Sequence, residues 1–173
     1  MTTTEILEIL KEKFSVEQFE IQSNIGGEIL IVPSNVLLDL CFFLRDDERL
    51  AFDSLMNLSG VDLADGEKKK LEDGSFEIVG GHLATYYHLH SFKHNHKLTL
   101  KVLLPRENPV VPSVERVWRS ADWHEREAYD LFGIVFEGHH NLKRILLPDD
   151  WDGYPLRKDY KVQEFYQGMK VPY

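Results

Sequence analysis

The chain has 173 residues, 43% hydrophobic and 12% aromatic, enough apolar material for one packed domain and too much for wholesale disorder. Its 20 basic and 29 acidic side chains leave a net charge of −9, which excludes a mainly electrostatic grip on nucleic acid or an anionic membrane surface. A single cysteine excludes an internal disulfide, a Cys-rich zinc site and an iron–sulfur cluster ligated by this chain alone.

In chain order, Thr2 with Glu5 three residues on predicts a capping box. Ile6, Ile9, Leu10 and Phe14 follow at helical spacing. Phe19 and Ile21 alternate with polar residues, Asn24-Ile25-Gly26-Gly27 supplies a turn, and Ile29–Val32 returns, a hairpin pattern. Pro33-Ser34 opens a second helix to about Leu44, with Ser34 as N-cap; it buries Cys41 in an apolar run. Ala51–Leu63 reads as a strand. Residues 66–80, with Lys68-Lys69-Lys70 and Glu72-Asp73-Gly74, read as a charged loop at a hairpin tip. Leu83–Phe92 and Leu98–Leu104 read as strands joined by a tight turn at Lys93–His96, and Pro105, Pro109 and Pro112 end the sheet. A short helix is expected at Ser113–Arg119. A longer one starts at Asp122, its cap, with Glu125 at the capping-box offset, and stops at Gly133. The pattern is irregular after Ile134. Strands and helices in segregated runs predict an α+β fold, a small mixed sheet with flanking helices followed by an irregular C-terminal extension. The expected division is a compact domain over residues 1–133 and an extended segment over 134–173 that wraps partners. The start lacks the basic and apolar regions of a signal peptide, and the longest apolar run, Asn35–Leu44, is too short to span a bilayer.

Charge is unevenly placed. Residues 1–80 hold 7 basic and 17 acidic groups, residues 81–173 hold 13 and 12, and all eight histidines and all three tryptophans fall in the second part. No glycine-rich loop of the G-x-G-x-x-G or Walker type and no G-x-S-x-G elbow occurs. His88 and His90 share a strand face, with His94 and His96 in the following turn. They could form a metal-binding cluster, but hydrogen-bonding histidines on a hairpin fit better, because no acidic residue interleaves with them. His139-His140 is a second, less favoured donor pair. Glu125, Glu127 and Asp130 crowd one helix with Arg126. Arg126 and Asp130, at i,i+4, are expected to pair, and an interfacial ion-pair network is preferred over acid–base chemistry. Asp149-Asp150-Trp151-Asp152 and Arg157-Lys158-Asp159-Tyr160 mix charge with aromatic anchors, as a protein contact surface requires.

The run Trp123-His-Glu-Arg-Glu-Ala-Tyr-Asp-Leu-Phe-Gly-Ile-Val-Phe-Glu-Gly-His139 resembles the signature of the C-type subunit of the proton-pumping NADH–quinone oxidoreductase, respiratory complex I and its photosynthetic relatives. The pattern is filled by Glu125, Arg126, Glu127, Asp130, Leu131, Phe132, His139, Lys143, Ile145 and Leu146. The resemblance continues through Arg144–Tyr160 and covers about residues 105–160. The family pattern has Pro after the signature His and again after R-K-D-Y; here His140 and Lys161 stand there, which alters local backbone shape only.

The resemblance implies a cofactor-free scaffold subunit of the hydrophilic arm, with no catalytic, cofactor-binding or metal-binding residue of its own. The iron–sulfur clusters, the quinone and, where an NADH module is present, FMN and NADH would sit on other subunits. It implies contact with the large quinone-site subunit and the iron–sulfur subunits, no nucleic acid, and membrane contact only through partners. The location is then peripheral, on the cytoplasmic side of an inner or plastid-type energy-transducing membrane. The implied partner interface is Glu125, Arg126, Glu127, Asp130, His139, Arg144, Trp151, Arg157, Lys158 and Asp159. The homologous subunit of a membrane-bound hydrogenase or of a ferredoxin- or F420-driven complex is the nearest alternative; a His-cluster metal-binding protein is an alternative of another class.

Overall fold

A computed structural model describes residues 1–15, 19–72 and 74–171. Helix α1 (Thr3–Leu10) begins with the expected capping box: the Thr2 hydroxyl accepts from the Glu5 amide, and the Glu5 carboxylate accepts from the Thr2 amide. Strands β1 (Glu20–Asn24) and β2 (Gly27–Ile31) form the predicted hairpin. The second helix departs from expectation at its start. Ser34–Val36 is a 3₁₀ turn with Pro33 at its cap, and α2 (Leu37–Asp46) follows with no side-chain cap, so Ser34 does not cap it. Strand β3 (Ser54–Asp62) lies within the predicted stretch.

The charged loop of residues 66–80 is itself a hairpin, β4 (Glu67–Lys70) against β5 (Phe76–Val79). Its lysines are exposed, and Lys68 lies over the Phe76 ring, while Ile78 turns inward and is buried. A charge count hides this because only one side of a short two-stranded ribbon needs apolar residues. Strands β6 (His82–Ser91) and β7 (His96–Pro105) form the central antiparallel pair.

The main sheet has the order β1-β2-β7-β6-β3; β2 and β7 are parallel and the other pairs antiparallel. Period-two alternation decides its faces. Leu83, Tyr87 and Leu89 of β6 stand opposite Leu104, Leu100 and Leu98 of β7, all buried on one face. Ile6 and Leu10 of α1 and Leu37, Leu40, Cys41 and Leu44 of α2 close the same cluster. Cys41 is fully buried, and burial pushes its thiol far up, as expected for an inert packing residue. On the opposite face Asn57, His88 and Lys97 are exposed.

The prolines do not end the pairing. Strand β8 (Val110–Pro112) runs parallel to β9 (Val135–Glu137). Ser113–Arg119 forms turns and no helix; the Glu125 side chain takes up the Ser113 hydroxyl and the Val114 amide there, which fixes the start of the stretch in another geometry. Helix α3 (Ala121–Phe132) starts with Ser120, whose side chain donates to Leu55 O and does not cap. Asp122 therefore sits in the first turn, and Glu125 turns away from the helix start. Gly133 ends α3 in the left-handed region at φ 71°, as predicted. The core continues past this point, because Ile134 and Phe136 belong to it. Beyond Glu137 the chain is irregular except for the small hairpin β10 (Phe165–Tyr166) and β11 (Met169–Lys170).

Candidate partner surface and the clamps beneath it

The irregular segment returns across the domain and is fastened to it by buried charged groups. The first clamp joins β3, the end of β7 and the segment. Arg106 Nη2 donates to both Asp62 carboxylate oxygens at 2.5 and 2.6 Å, and Arg106 Nη1 reaches Asp159 at 3.4 Å. Asp62 also accepts from the amides of Lys158 at 2.8 Å and Ala64 at 2.9 Å. Asp159 in turn accepts from the Ile78 amide. The side chains of Asp62 and Arg106 are 0% and 5% exposed. Burial by itself would raise the Asp62 pKa. The Lys158 amide, Arg106 and the Ala64 amide outweigh it and hold the carboxyl below its ordinary value.

The second clamp centres on Asp130. One oxygen accepts from Arg144 Nη1 at 2.8 Å. The other accepts from three consecutive amides, Ile145, Leu146 and Leu147, at 3.0, 2.7 and 2.9 Å. Arg144 also donates to the carbonyls of Asp130, Trp151 and Gly153, so it ties α3 to two points of the segment. Burial again opposes ionisation of Asp130, but the Leu147 amide, Arg144 and the other two amides lower its pKa overall. The expected Arg126–Asp130 pair is absent. Arg126 donates to the carbonyls of Lys143 and Arg144 and stacks on Trp123. Helical spacing put the two within reach, but Asp130 faces inward and Arg126 does not.

The third clamp closes the end of α3. Arg157 Nε donates to Phe132 O at 2.7 Å, and the Leu156 amide donates to Leu131 O. These take up carbonyls that a helix end leaves without partners. The Tyr154 ring lies between the Arg144 and Arg157 guanidinium groups, with centroid distances of 5.4 and 4.9 Å, and rests on Gly133. A Cβ at position 133 would stand 2.5 Å from that ring.

Glu125 is fully buried. Its carboxylate accepts from Ser113 Oγ at 2.6 Å and the Val114 amide at 2.7 Å, which fixes the turns after β8 to α3. Desolvation dominates those two hydrogen bonds, the charges of Glu115 and Asp122 add to it, and the pKa is pushed up to about 7. His139 lies beside it, with Nε2 3.9 Å from Glu125, and Nε2 also faces the Asp122 carbonyl at 3.2 Å.

The ten signature residues thus divide. Glu125, Asp130, His139, Arg144, Arg157 and Asp159 hold the chain to itself. Glu127 and Lys158 are exposed, and Arg126 and Trp151 are half-buried; the Trp151 indole donates to Tyr160 Oη. Trp123, 63% exposed, lies against Arg126, and Leu146, two residues past the Arg144 carbonyl that Arg126 binds, is 62% exposed. Sequence reasoning missed Asp62, Arg106, Ser113 and Tyr154. Asp62 carried a usable signal: it continues the inward parity of Leu58 and Gly60 along β3, so a charge there must be buried and paired. Among the described residues the four hairpin histidines do not gather into one cluster, although the His94 and His96 rings stack 5.5 Å apart. His88, His90, His94 and His96 contact, respectively, Thr99 Oγ1, Asn95 Oδ1, Glu48 O and Leu50 O. His96 is a buried residue of β7 and not part of the turn.

This arrangement defines a class: an α+β domain with a mixed five-stranded sheet, strapped by its own C-terminal segment through buried arginine–carboxylate contacts. The family model described as respiratory-chain NADH dehydrogenase, 30 Kd subunit, matches residues 30–166, and the chain belongs to that family. It is 48% identical over 167 residues to the C-type subunit of the NADH-quinone oxidoreductase of Chloroherpeton thalassium, covering 95% of this chain and 63% of that protein. It is 40% identical to the subunit of the same name from Chlorobium phaeobacteroides, covering 96% of this chain and 93% of that protein. Among solved structures, the trypsin-resistant fragment of Nqo5 superposes with a TM-score of 0.58 at 28% identity, over 79% of this chain and 98% of the fragment. A chain of an archaeal membrane-bound sulfane sulfur reductase shares the fold at a TM-score of 0.67 and 21% identity, over 91% of this chain and 85% of that one.

Proposed function

We propose that this chain is the scaffold subunit of the hydrophilic arm of a membrane-bound NADH–quinone oxidoreductase that couples electron transfer to proton translocation. It carries no redox group of its own in this reading; iron–sulfur clusters and quinone belong to its partners. Those partners are the quinone-site subunit and the iron–sulfur subunits, and the chain is peripheral, on the cytoplasmic side. Among the described residues no helix is long and apolar enough to cross a membrane, which agrees with attachment through partners.

The observation that carries the reading is the contrast between the clamps and the surface above them. The signature's carboxylates and arginines fasten the returning segment by hydrogen bonds, and Trp123 and Leu146 are exposed on that base, Trp123 against the half-buried Arg126. An exposed Trp stacked by an Arg is the composition of an interface hot spot, and pre-ordering lowers the entropy lost on docking. A scaffold that sets distances between electron carriers needs both properties. Lys161 onward, with β10 and β11, would extend the contact as a strap over a partner.

The test is recovery of a tagged full chain from detergent-solubilised membranes. Co-purification of a quinone-site subunit and iron–sulfur subunits is expected. Trp123→Ala should lower the yield of assembled complex by at least about tenfold, since hot-spot residues contribute about 2 kcal/mol or more, while turnover per assembled complex stays constant. Migration of the chain at its own mass on a native gel, with no partner, would sink the proposal.

A further inference from the structure

Where the turns after β8, the first turn of α3 and the loop after β9 meet, Glu115, Asp122, His139 and His140 each place one donor atom within 4.8 Å of the others. Glu115, Asp122 and His140 line a cleft of about 260 Å³. We propose that this cleft is a divalent transition-metal site of the zinc class, with Glu115, Asp122 and His140 as ligands and His139 as their supporting donor.

The ring nitrogens assign these roles. His139 Nδ1 accepts from the Asn141 amide at 3.0 Å, so in the neutral ring the proton sits on Nε2. That nitrogen faces Asp122 Oδ1 at 3.3 Å and Glu115 Oε2 at 3.6 Å. It has no lone pair for a metal; its hydrogen bond runs to the Asp122 backbone carbonyl at 3.2 Å, which steadies the residue whose carboxylate would ligate. His140 differs. Its Nδ1 lies 2.6 Å from Glu115 Oε2, and its exposed Nε2 has no hydrogen-bond partner among the described residues. The proton can therefore move to Nε2 and leave Nδ1 free to ligate.

Among the described residues neither carboxylate is paired with an arginine or a lysine; the groups beside them are His139 and His140. Asp122 Oδ1 is buried without a hydrogen-bond partner. Arg116 and Arg119 line the same cleft, yet neither pairs with a carboxylate among the described residues. One imidazole nitrogen and two carboxylate oxygens, open on one side to solvent, form a three-ligand set with room for water, which suits zinc and its cobalt analogue. Zinc bonds of about 2.0 Å require the donors to draw closer than they stand; the exposed His140 side chain can rotate to do so.

Titration of the untagged full chain with Zn²⁺, followed by calorimetry, and with Co²⁺, followed by visible absorption, tests the proposal. One equivalent should bind. His140→Ala and Asp122→Asn should each weaken binding at least about tenfold, as loss of a ligand does. A His88→Ala/His90→Ala control should bind as the native chain does. Circular dichroism of the metal-free variants checks that they are folded. Absence of binding to the native chain would overturn the proposal. So would binding that survives in folded His140→Ala, or that is lost in the hairpin control.

Discussion

Glu125 is a buried carboxyl whose titration is moved into the neutral range. Burial holds its pKa near 7, whereas in the unfolded chain the group titrates near 4.5. Between these values the folded state keeps a proton that the unfolded state has lost. Stability therefore falls as pH rises through that window, by about 3 kcal/mol in total. Glu125→Gln keeps an acceptor for the Val114 amide and removes the titration. Urea denaturation from about pH 5 to about pH 8 should show a flatter profile for the variant; identical slopes in both proteins would disprove the assignment. Asp62 and Asp130 have the opposite sign. Their pKa values are lowered, so their contribution is complete above the unfolded carboxylate value and is lost as pH falls through the folded one. The residue types were all legible in the sequence. Which carboxylate would be buried protonated and which buried ionised was not, because that depends on whether guanidinium groups or only neutral donors stand opposite.

Helix α3 shows the same division at the level of an element. Its end at Gly133 was legible, since a left-handed C′ residue favours glycine. The Tyr154 ring resting on that glycine was not, because the contact spans an irregular loop. Gly133→Ala should cost about 1–2 kcal/mol from the backbone alone, and more because Tyr154 must leave its seat between Arg144 and Arg157. Limited trypsin digestion is the check: cleavage after Lys143, Arg144 or Arg157 should accelerate in the variant. Unchanged digestion would mean that Tyr154 does not hold the segment. The start of α3 departs from its local pattern for a related reason. Asp122 and Glu125 have capping-box spacing, but Ser113 and the Val114 amide, more distant along the chain, claim the Glu125 carboxylate first.

At the scale of the molecule, one clamp joins three distant parts of the chain. Arg106 bridges Asp62 and Asp159, and Asp62 also receives the Lys158 amide. Arg106→Ala would leave Asp62 buried and unpaired, a loss of about 3–5 kcal/mol. Hydrogen exchange should show the Lys158 and Ile78 amides losing protection before the β6–β7 pair does. If both regions lose protection together, the clamp is part of the global core and not a separate fastening.

The amino-acid order by itself determined the α+β class, the central hairpin, helices α1, α2 and α3 and the family signature. Each is written in short-range periodicity, in turn chemistry or in a contiguous run of residue types. Only the tertiary structure decided which signature residues turn inward, how β2 comes to lie parallel to β7, and where the charged groups around His139 converge. Those outcomes depend on segments far apart in the chain meeting in a medium of low dielectric, where an ionised group must find a partner, and the partner's identity is set by the fold.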